Sequence, residues 1–106
     1  MPHYKVSLED TRHGHDGEHG LARGEHSAMR YWHNEQPSDT ADKESSTNDY
    51  ETLGYVISGQ VELTVDGQTL ILGPGDSYYV PQGAEHVYRV VETLNAVEVT
   101  TPPAGR

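Results

Sequence analysis

Hydrophobic and polar residues alternate along short runs in the second half of the chain. In VELTV, residues 61–65, Val61, Leu63 and Val65 fall on one face and the two polar residues between them on the other. A period of two is that of a β-strand with one buried face. Runs of this kind, rich in Val, Ile, Tyr and Thr, predict strands at 55–58, 61–65, 69–72, 77–80, 86–91 and 94–100, and SAMRYWH predicts one more at 27–33.

Turn residues separate the predicted strands. Asp66-Gly67 is the strongest of these signals, because a two-residue type I′ turn needs positive φ at both positions and this pair tolerates it. The other breaks fall at Ser58-Gly59, Gly73-Pro74-Gly75, 81–83 and Glu92-Thr93. Short strands at intervals of roughly 8–12 residues, with no helix between them, are typical of an antiparallel sandwich or barrel, so the predicted fold class is all-β.

The same pattern divides the chain into three parts. Residues 1–26 are a polar segment rich in His and Gly, residues 27–101 are the predicted barrel, and residues 102–106 are a tail. Within the barrel, residues 34–49 contain no aromatic residue and no aliphatic residue beyond Ala41, which predicts a long loop. Loops longer than about 12–15 residues in a compact domain are usually functional or mobile, and the sequence leaves open whether this one is a lid.

Composition narrows the classes of protein. A chain of 106 residues has room for one domain, and its core must be thin because only 33% of its residues are hydrophobic and Phe is absent. Because the chain has no Cys, disulfides cannot stabilise such a core, and a bound metal or self-association remains. The formal charge of −10 repels nucleic-acid phosphates, so DNA or RNA is not an expected partner.

The cellular setting follows from what the sequence lacks. The start MPHYKVSLED has neither the basic region nor the apolar run of a signal peptide, and no Cys points to an oxidising compartment. No apolar stretch approaches the ~20 residues of a membrane helix. We therefore expect a soluble, cytoplasmic protein with no membrane partner.

The stretch GDSYYVPQGAEH, residues 75–86, carries the most specific pattern. Gly75, Pro81, Gly83 and His86 end one strand, reverse the chain and place an imidazole at the start of the next, with Tyr88 on the same face. The stretch resembles the second motif of the cupin superfamily: glycine, five residues, proline, one residue, glycine, two residues, histidine. Upstream, ETLGYVISGQVELTVDGQTLILGPGD resembles the centre of small single-domain cupins. The resemblance covers residues 50–100 and implies a small antiparallel jelly-roll barrel that forms a homodimer.

The resemblance also implies a metal site, which this sequence matches only in part. In the family, two His and a Glu or Gln of a first motif join the His of the second motif. Counted back from Gly59, the acidic or amide position falls on Thr52, and the two His positions fall on Ser46 and Asn48 or on neighbours within the same loop. No His occurs between His33 and His86, so of these ligands only His86 is present.

Other residues are candidate replacement ligands for one divalent transition metal. His33 lies on the same face of its strand as Met29 and Tyr31, and if that face is interior, His33 and His86 could meet. Glu51 stands one residue from the expected acidic position. The segment HGHDGEHG is either a solvated segment or a metal site of its own, with the candidate ligands His13, His15, Asp16, Glu18 and His19.

The role of His86 is left open among metal ligand, catalytic acid or base, and structural histidine. Asn48, Thr52 and Tyr88 are predicted to border its pocket. Arg30 either receives an anionic ligand or forms a surface ion pair, and the same choice applies to Arg89. Three functions remain: a small-molecule-binding barrel with a pocket at His86; a metal-dependent cupin oxygenase or isomerase using non-motif ligands; and a structural or regulatory dimer with a degenerate pocket.

Overall fold

The structure, a computed structural model, describes residues 4–11, 17–37 and 44–104, and within these ranges it forms six antiparallel strands and one short 3-10 helix. The helix η1 spans Leu8–Asp10, and the strands are β1 His19–Arg23, β2 Ala28–Glu35, β3 Glu51–Val65, β4 Gln68–Leu72, β5 Ser77–Val80 and β6 His86–Thr101. No helix within the described ranges has the length and apolarity needed to cross a membrane. The predicted all-β fold is confirmed.

The two longest strands, β3 and β6, organise the barrel. The sheet order is β1-β2-β6-β3-β4, and β5 also pairs with β3. β3 and β6 pair along most of their length, but their register shifts between Val56 and Val61. Such irregularities are bulges, which bend a strand and increase its twist. The bend lets both strands run through the two halves of the jelly roll, with the core between them.

Strand boundaries differ from the prediction at the bulges. The turn signals at Ser58-Gly59 and Glu92-Thr93 were predicted to end strands, but both lie inside continuous strands, where Ser58 still pairs with Asn95. A residue suited to a turn also suits a bulge, so composition does not distinguish the two. The Asp66-Gly67 turn is confirmed, because both residues have positive φ and Val65 pairs with Gln68 across it.

Strand β1 was not predicted. It lies in the polar segment 1–26, in the stretch HGLAR that shows no strand pattern, and pairs with β2 through His19↔Tyr31 and Gly20↔Arg30. Strand preference depends on the neighbouring strand as much as on intrinsic propensity. Here residues 19–23 of the polar segment pair with the edge of β2 that lies opposite β6.

The alternation in VELTV sorts residues as predicted. Val61 and Leu63 are buried, while Glu62 and Thr64 between them are only half-buried. The core is a cluster of small and aliphatic side chains with one tyrosine, formed by Val56, Val61, Leu63, Leu72, Tyr78, Val80, Leu94 and Ala96. Because this core lacks large aromatic residues apart from Tyr78, it leaves room for a cavity beside it.

The orientation of β2, which the sequence leaves open, is set by the structure. Met29 is 40% exposed, whereas Ala28 is buried and Arg30 and Trp32 face the interior, so the face shared by Met29, Tyr31 and His33 is the outer one. The condition under which His33 and His86 could meet is therefore not fulfilled. Arg30 is inside because a buried carboxylate on the next strand balances its charge.

A row of paired residues crosses four strands on the inner face. Arg30 in β2 lies opposite Glu98 in β6, which lies opposite Gly54 in β3, which lies opposite Tyr78 in β5. Residues that pair directly in an antiparallel sheet project from the same face. The topology therefore brings residues far apart in sequence to one wall of the barrel.

The outer face of the same strands is apolar. One row crosses it through Met29, Val99, Leu53 and Tyr79, and the next passes through Tyr31, Val97, Tyr55 and Ser77. These rows contain no charged residue, although the chain carries a formal charge of −10. The sheet therefore has a charged row inside and uncharged rows outside, the reverse of the usual arrangement.

Candidate functional site

A cavity of about 380 Å³ opens inside the barrel. Its wall contains polar, aromatic and aliphatic side chains, contributed by Arg30, Trp32, Glu35, Glu44, Ser46, Asn48, Tyr50, Val61, Tyr78, His86, Val87, Tyr88, Val90, Leu94 and Glu98. Small-molecule sites commonly have volumes of ~300–1,000 Å³ and a similar mixture of surfaces. The cavity is thus large enough for one small organic molecule.

A buried ion pair forms part of this wall. Arg30 Nε donates to Glu98 Oε1 over 2.7 Å, and the Glu98 side chain is only 1% exposed. Trp32 Nε1 donates to the same oxygen over 2.9 Å, while the Tyr78 hydroxyl donates to Oε2. A buried carboxylate is tolerated when its oxygens are engaged in this way. Glu98 therefore holds three neighbouring side chains in fixed positions.

The guanidinium of Arg30 contacts two aromatic rings in addition to the Glu98 carboxylate. It lies 5.5 Å from the ring centre of Trp32 and 5.6 Å from that of Tyr50, whose hydroxyl is 3.3 Å from Nη1. Burial alone would lower the pKa of Arg30, but the Glu98 carboxylate and the Tyr50 hydroxyl outweigh it and raise the pKa. Arg30 is a permanent cation whose orientation is fixed on every side.

Gly54 makes the contact between Tyr78 and Glu98 possible. It pairs with both residues, and a Cβ at this position would collide with the Tyr78 ring. Because Gly54 has no side chain, the ring lies across β3 and its hydroxyl reaches the carboxylate on the far side. The sequence places a glycine inside a strand, and close packing against it is the physical reason.

Two tyrosines around Glu98 stay protonated. Burial raises the pKa of Tyr78 well above its ordinary value, and the nearby Glu98 carboxylate raises it further. Burial and then the Glu98 carboxylate also raise the pKa of Tyr88, and a hydrogen bond to Glu98 adds to the effect. Both hydroxyls therefore act as donors to the carboxylate rather than as phenolate bases.

The turn before β6 fixes one tautomer of His86. Gly83 has φ 81°, and the chain then reverses so that His86 Nδ1 lies 3.0 Å from the carbonyl oxygen of Ala84. A carbonyl only accepts, so Nδ1 carries the proton and Nε2 has the lone pair. Asn48 Nδ2 donates to Nε2 over 3.3 Å. His86, which is 6% exposed, thus lines the cavity with an accepting nitrogen whose partner is Asn48.

The segment before β3 is hydrogen-bonded to this turn. Ser46 and His86 exchange backbone hydrogen bonds of 2.9 Å in each direction, and Gly83 N donates to Asn48 O over 2.9 Å. These bonds keep the Asn48 side chain beside the imidazole. Residues 44–49 of the predicted long loop are therefore part of the cavity wall, whereas residues 38–43 lie outside the described ranges.

The residues present do not fit the metal centre that the fold family implies. Ser46 and Asn48 line the cavity next to His86, where two family histidines would stand, and both are neutral. Glu98 is engaged by Arg30, Trp32 and Tyr78. Within residues 4–11, 17–37 and 44–104, no three His, Cys, Asp or Glu side chains converge as a metal site. The donor set is one of hydrogen-bonding groups.

The structure brings some predicted site residues together and separates others. Asn48 contacts His86, and the Tyr88 ring centre lies 5.7 Å from that of His86. Thr52 is buried and pairs with Val80 and Thr100, but it is not among the cavity-lining residues. The assignment of a functional role to His86, Asn48, Thr52 and Tyr88 stays a prediction.

The two speculative metal partners do not line the cavity. His33 lies on the outer face of β2, with its ring centre 5.8 Å from that of His19 and 5.2 Å from that of Tyr31. Glu51, at the start of β3, pairs with Thr101. The structure thus does not assemble a ligand set from His33, Glu51 and His86. In the HGHDGEHG segment, His13, His15 and Asp16 lie outside the described residues.

Sequence reasoning missed the ion pair. Arg30 was predicted to be a surface residue or an anion receptor, and Glu98 was not considered. One signal was available: in LNAVEVT, Glu98 occupies the same strand face as Leu94 and Ala96, so a carboxylate stands at an inward position. For Arg89, the predicted surface ion pair is present, 3.7 Å from Glu62.

A family model described as a cupin domain matches residues 31–101. This chain belongs to the cupin family. Several solved structures share the fold of this cupin, and no curated protein sequence matches it. An RmlC-like cupin from Shewanella frigidimarina superposes with a TM-score of 0.79 at 18% identity, with 94% of this chain and 91% of that chain covered.

Two further solved structures with the same fold belong to named proteins. KdgF from Halomonas sp. superposes with a TM-score of 0.75 at 17% identity, covering 96% of this chain and 94% of that one. Streptomyces Pac13, described as a nucleoside dehydratase, superposes with a TM-score of 0.74 at 17% identity, covering 97% and 85%. At these identities the likeness shows the fold alone.

Proposed function

We propose that this cupin binds a small organic molecule in the barrel cavity, with a donor group of the ligand replacing Asn48 Nδ2 as the hydrogen-bond partner of His86 Nε2. The observation that carries the proposal is a cavity of about 380 Å³ whose polar residues are already fixed. Asn48 orients His86 from one side, and Glu98 holds Arg30 from another. Pre-arranged polar groups bind at a lower entropic cost, because few side chains must be ordered by the ligand.

Part of the cavity wall is apolar. Val61, Val90 and Leu94 belong to it, and Val61 pairs with Val90 across β3 and β6. A ligand with a polar group toward His86 and an apolar or planar part toward these side chains matches both kinds of surface. Trp32 and Tyr88 add aromatic surface on which a ring can stack.

The alternatives have unequal support. A metal-dependent oxygenase or isomerase finds no ligand set around His86 within the described ranges. Chemistry by His86 itself fits the site better, because its Nε2 carries a lone pair beside the cavity and the hydrogen bond to Ala84 stabilises the protonated Nδ1. Binding is the part of this proposal on which any such chemistry depends.

Trp32 makes the proposal testable in solution. It is the only tryptophan in the sequence and it lines the cavity, so its fluorescence reports occupancy. Uridine, which is present in a structure of a Streptomyces Pac13 variant, is a reasonable first probe, followed by neutral sugars and aryl alcohols. We expect saturable changes in emission that His86→Ala weakens about tenfold or more, the effect of one lost hydrogen bond that leaves a polar group unpaired.

The matched control is His33→Ala, which removes a histidine from the outer face of β2. It should leave binding unchanged. Equal losses in both variants, or no saturable change in Trp32 emission with any probe, would contradict the proposal.

A specific observation also favours self-association, and we propose a symmetric dimer through the apolar outer face. Leu53, Tyr55, Ile57 and Tyr79 are each 48–52% exposed, and Met29 is 40% exposed. Half-exposed side chains of this size present roughly 100 Å² each, hence about 500 Å² per copy and about 1,000 Å² in a pair, the lower bound for a specific interface. Two copies of an uncharged face meet without bringing like charges together.

Light scattering coupled to gel filtration tests the dimer. Leu53→Glu should convert a dimer to a monomer, because an interface core does not tolerate an unpaired charge. Ile71→Glu is the matched control, since Ile71 is 56% exposed on β4, outside the two apolar rows. A monomeric unsubstituted protein, or a dimer that survives Leu53→Glu, would refute this interface.

A further inference from the structure

We infer that the ligand of this cavity is a neutral or positively charged molecule rich in hydrogen-bond donors, and not a carboxylate or a phosphate. The inference rests on the proposed function and specifies its ligand class. It follows from how charge and hydrogen-bonding capacity are distributed around the cavity.

Arg30 is the group that would normally receive an anion, but its charge is already matched. Glu98 Oε1 lies 2.7 Å from its Nε, and Glu18 Oε2 lies 4.0 Å from its Nη1. Both carboxylates are at least 85% buried as side chains, so solvent screens these interactions little. An anionic ligand would have to compete with Glu98 for a guanidinium held in place by two aromatic rings.

The other two carboxylate residues of the lining add negative charge. Glu35 from β2 and Glu44 from the segment before β3 line the cavity together with the Arg30–Glu98 pair. One cation faces three carboxylates, which leaves a formal charge of −2 when His86 is neutral. The whole chain has the same sign, at −10, so its long-range field also disfavours anions.

The groups left to contact a ligand include several acceptors. The donors of Trp32 and Tyr78 are directed to Glu98, whereas the hydroxyls of Ser46 and Tyr50 can donate as well as accept. Asn48 keeps a carbonyl oxygen as an acceptor, and the lone pair of His86 Nε2 accepts from a ligand donor that replaces Asn48 Nδ2. With the carboxylates of Glu35 and Glu44, the cavity offers oxygen and nitrogen lone pairs that a ligand hydroxyl, amide or ammonium group would satisfy.

Matched ligands that differ only in charge test the inference. One series is tyramine, tyrosol and 4-hydroxyphenylacetate, and a second is 5′-amino-5′-deoxyuridine, uridine and uridine monophosphate. Each is titrated against Trp32 emission at low salt and about pH 8, above the ordinary histidine pKa of about 6.5. We expect the amine to bind about tenfold or more tightly than the acid of its series, with the alcohol between them and the difference shrinking in salt.

Two variants separate cavity charge from total charge. Glu35→Gln combined with Glu44→Gln should remove most of the preference for the amine, whereas the control Glu92→Gln, an exposed residue outside the lining, should leave it unchanged. Tighter binding of the acid than of the amine, or a preference that the double variant does not alter, overturns the inference and leaves the binding proposal standing. Failure of every member to change Trp32 emission overturns both.

Discussion

Replacing Glu98 by glutamine removes one charge from the interior and changes the shape of the side chain very little. In the native structure the Glu98 carboxylate accepts from Arg30, Trp32 and Tyr78. The amide of a glutamine retains only one accepting oxygen, and its NH₂ group must face a donor. The variant therefore leaves Arg30 charged in the interior without its counterion.

The expected cost follows from the burial of the pair. Breaking a buried ion pair by removing one partner costs about 3–5 kcal/mol, because the remaining charge is uncompensated. The Arg30 side chain is 12% exposed and Glu18 lies 4.0 Å from its Nη1, so part of the charge stays compensated. We therefore expect the lower end, about 3 kcal/mol, equivalent to a fall in Tm of roughly 12 °C or more for a domain of this size.

Urea unfolding followed by far-UV circular dichroism measures this change, and a double-mutant cycle isolates the pair. Arg30→Met should also destabilise the fold, and the combination of Arg30→Met with Glu98→Gln should cost clearly less than the two single changes added together. If Glu98→Gln does not fold, Arg30→Met with Glu98→Leu provides the second test, because an apolar pair of similar volume is often neutral or stabilising.

The reasoning is refuted if Glu98→Gln lowers the free energy of unfolding by less than about 1 kcal/mol, the net value of one ordinary hydrogen bond. It is equally refuted if the double variant costs the sum of the single variants, since the two side chains would then not be coupled.

Three further perturbations test other parts of the structure. Gly54→Ala should cost about 1–3 kcal/mol in urea unfolding because its Cβ meets the Tyr78 ring, whereas Gly20→Ala, with no heavy atom within 4 Å, should not. Because the pKa of Tyr78 is raised in the folded state, the unfolded state loses the phenol proton at a lower pH than the folded state does. The free energy of unfolding should therefore fall above about pH 10, by up to 1.4 kcal/mol per pH unit for this residue. Tyr78→Phe should reduce this slope. Ser46→His with Asn48→His should create a Co²⁺ site with His86, visible in the absorption spectrum, and adding His86→Ala to this double variant should remove the band.

The barrel was largely predictable from sequence because a strand with one buried face leaves a pattern of period two. VELTV showed it directly, and the turn at Asp66-Gly67 was predicted from its own chemistry. The strand β1 was not predictable, because its residues pair with β2 rather than following a pattern of their own. The bulges were read as strand ends, since glycine and polar residues serve both purposes.

The candidate site was predictable only where one motif carried it. The spacing of Gly83 and His86 located the imidazole, and counting from Gly59 located Asn48, which contacts it. The Arg30–Glu98 pair was missed because the two residues are 68 positions apart and become neighbours only through the pairing of β2 with β6. Hydropathy places charged residues outside, so it fails where two opposite charges are buried together.

A crystal structure of this cupin with a saturating neutral probe such as uridine would test the central claim most directly. The account predicts density inside the barrel, with a ligand donor within hydrogen-bonding distance of His86 Nε2 and a planar or apolar part toward Val61 and Leu94. Density on the outer face of the sheet, or an occupied cavity in which His86 Nε2 makes no contact with the ligand, would contradict it.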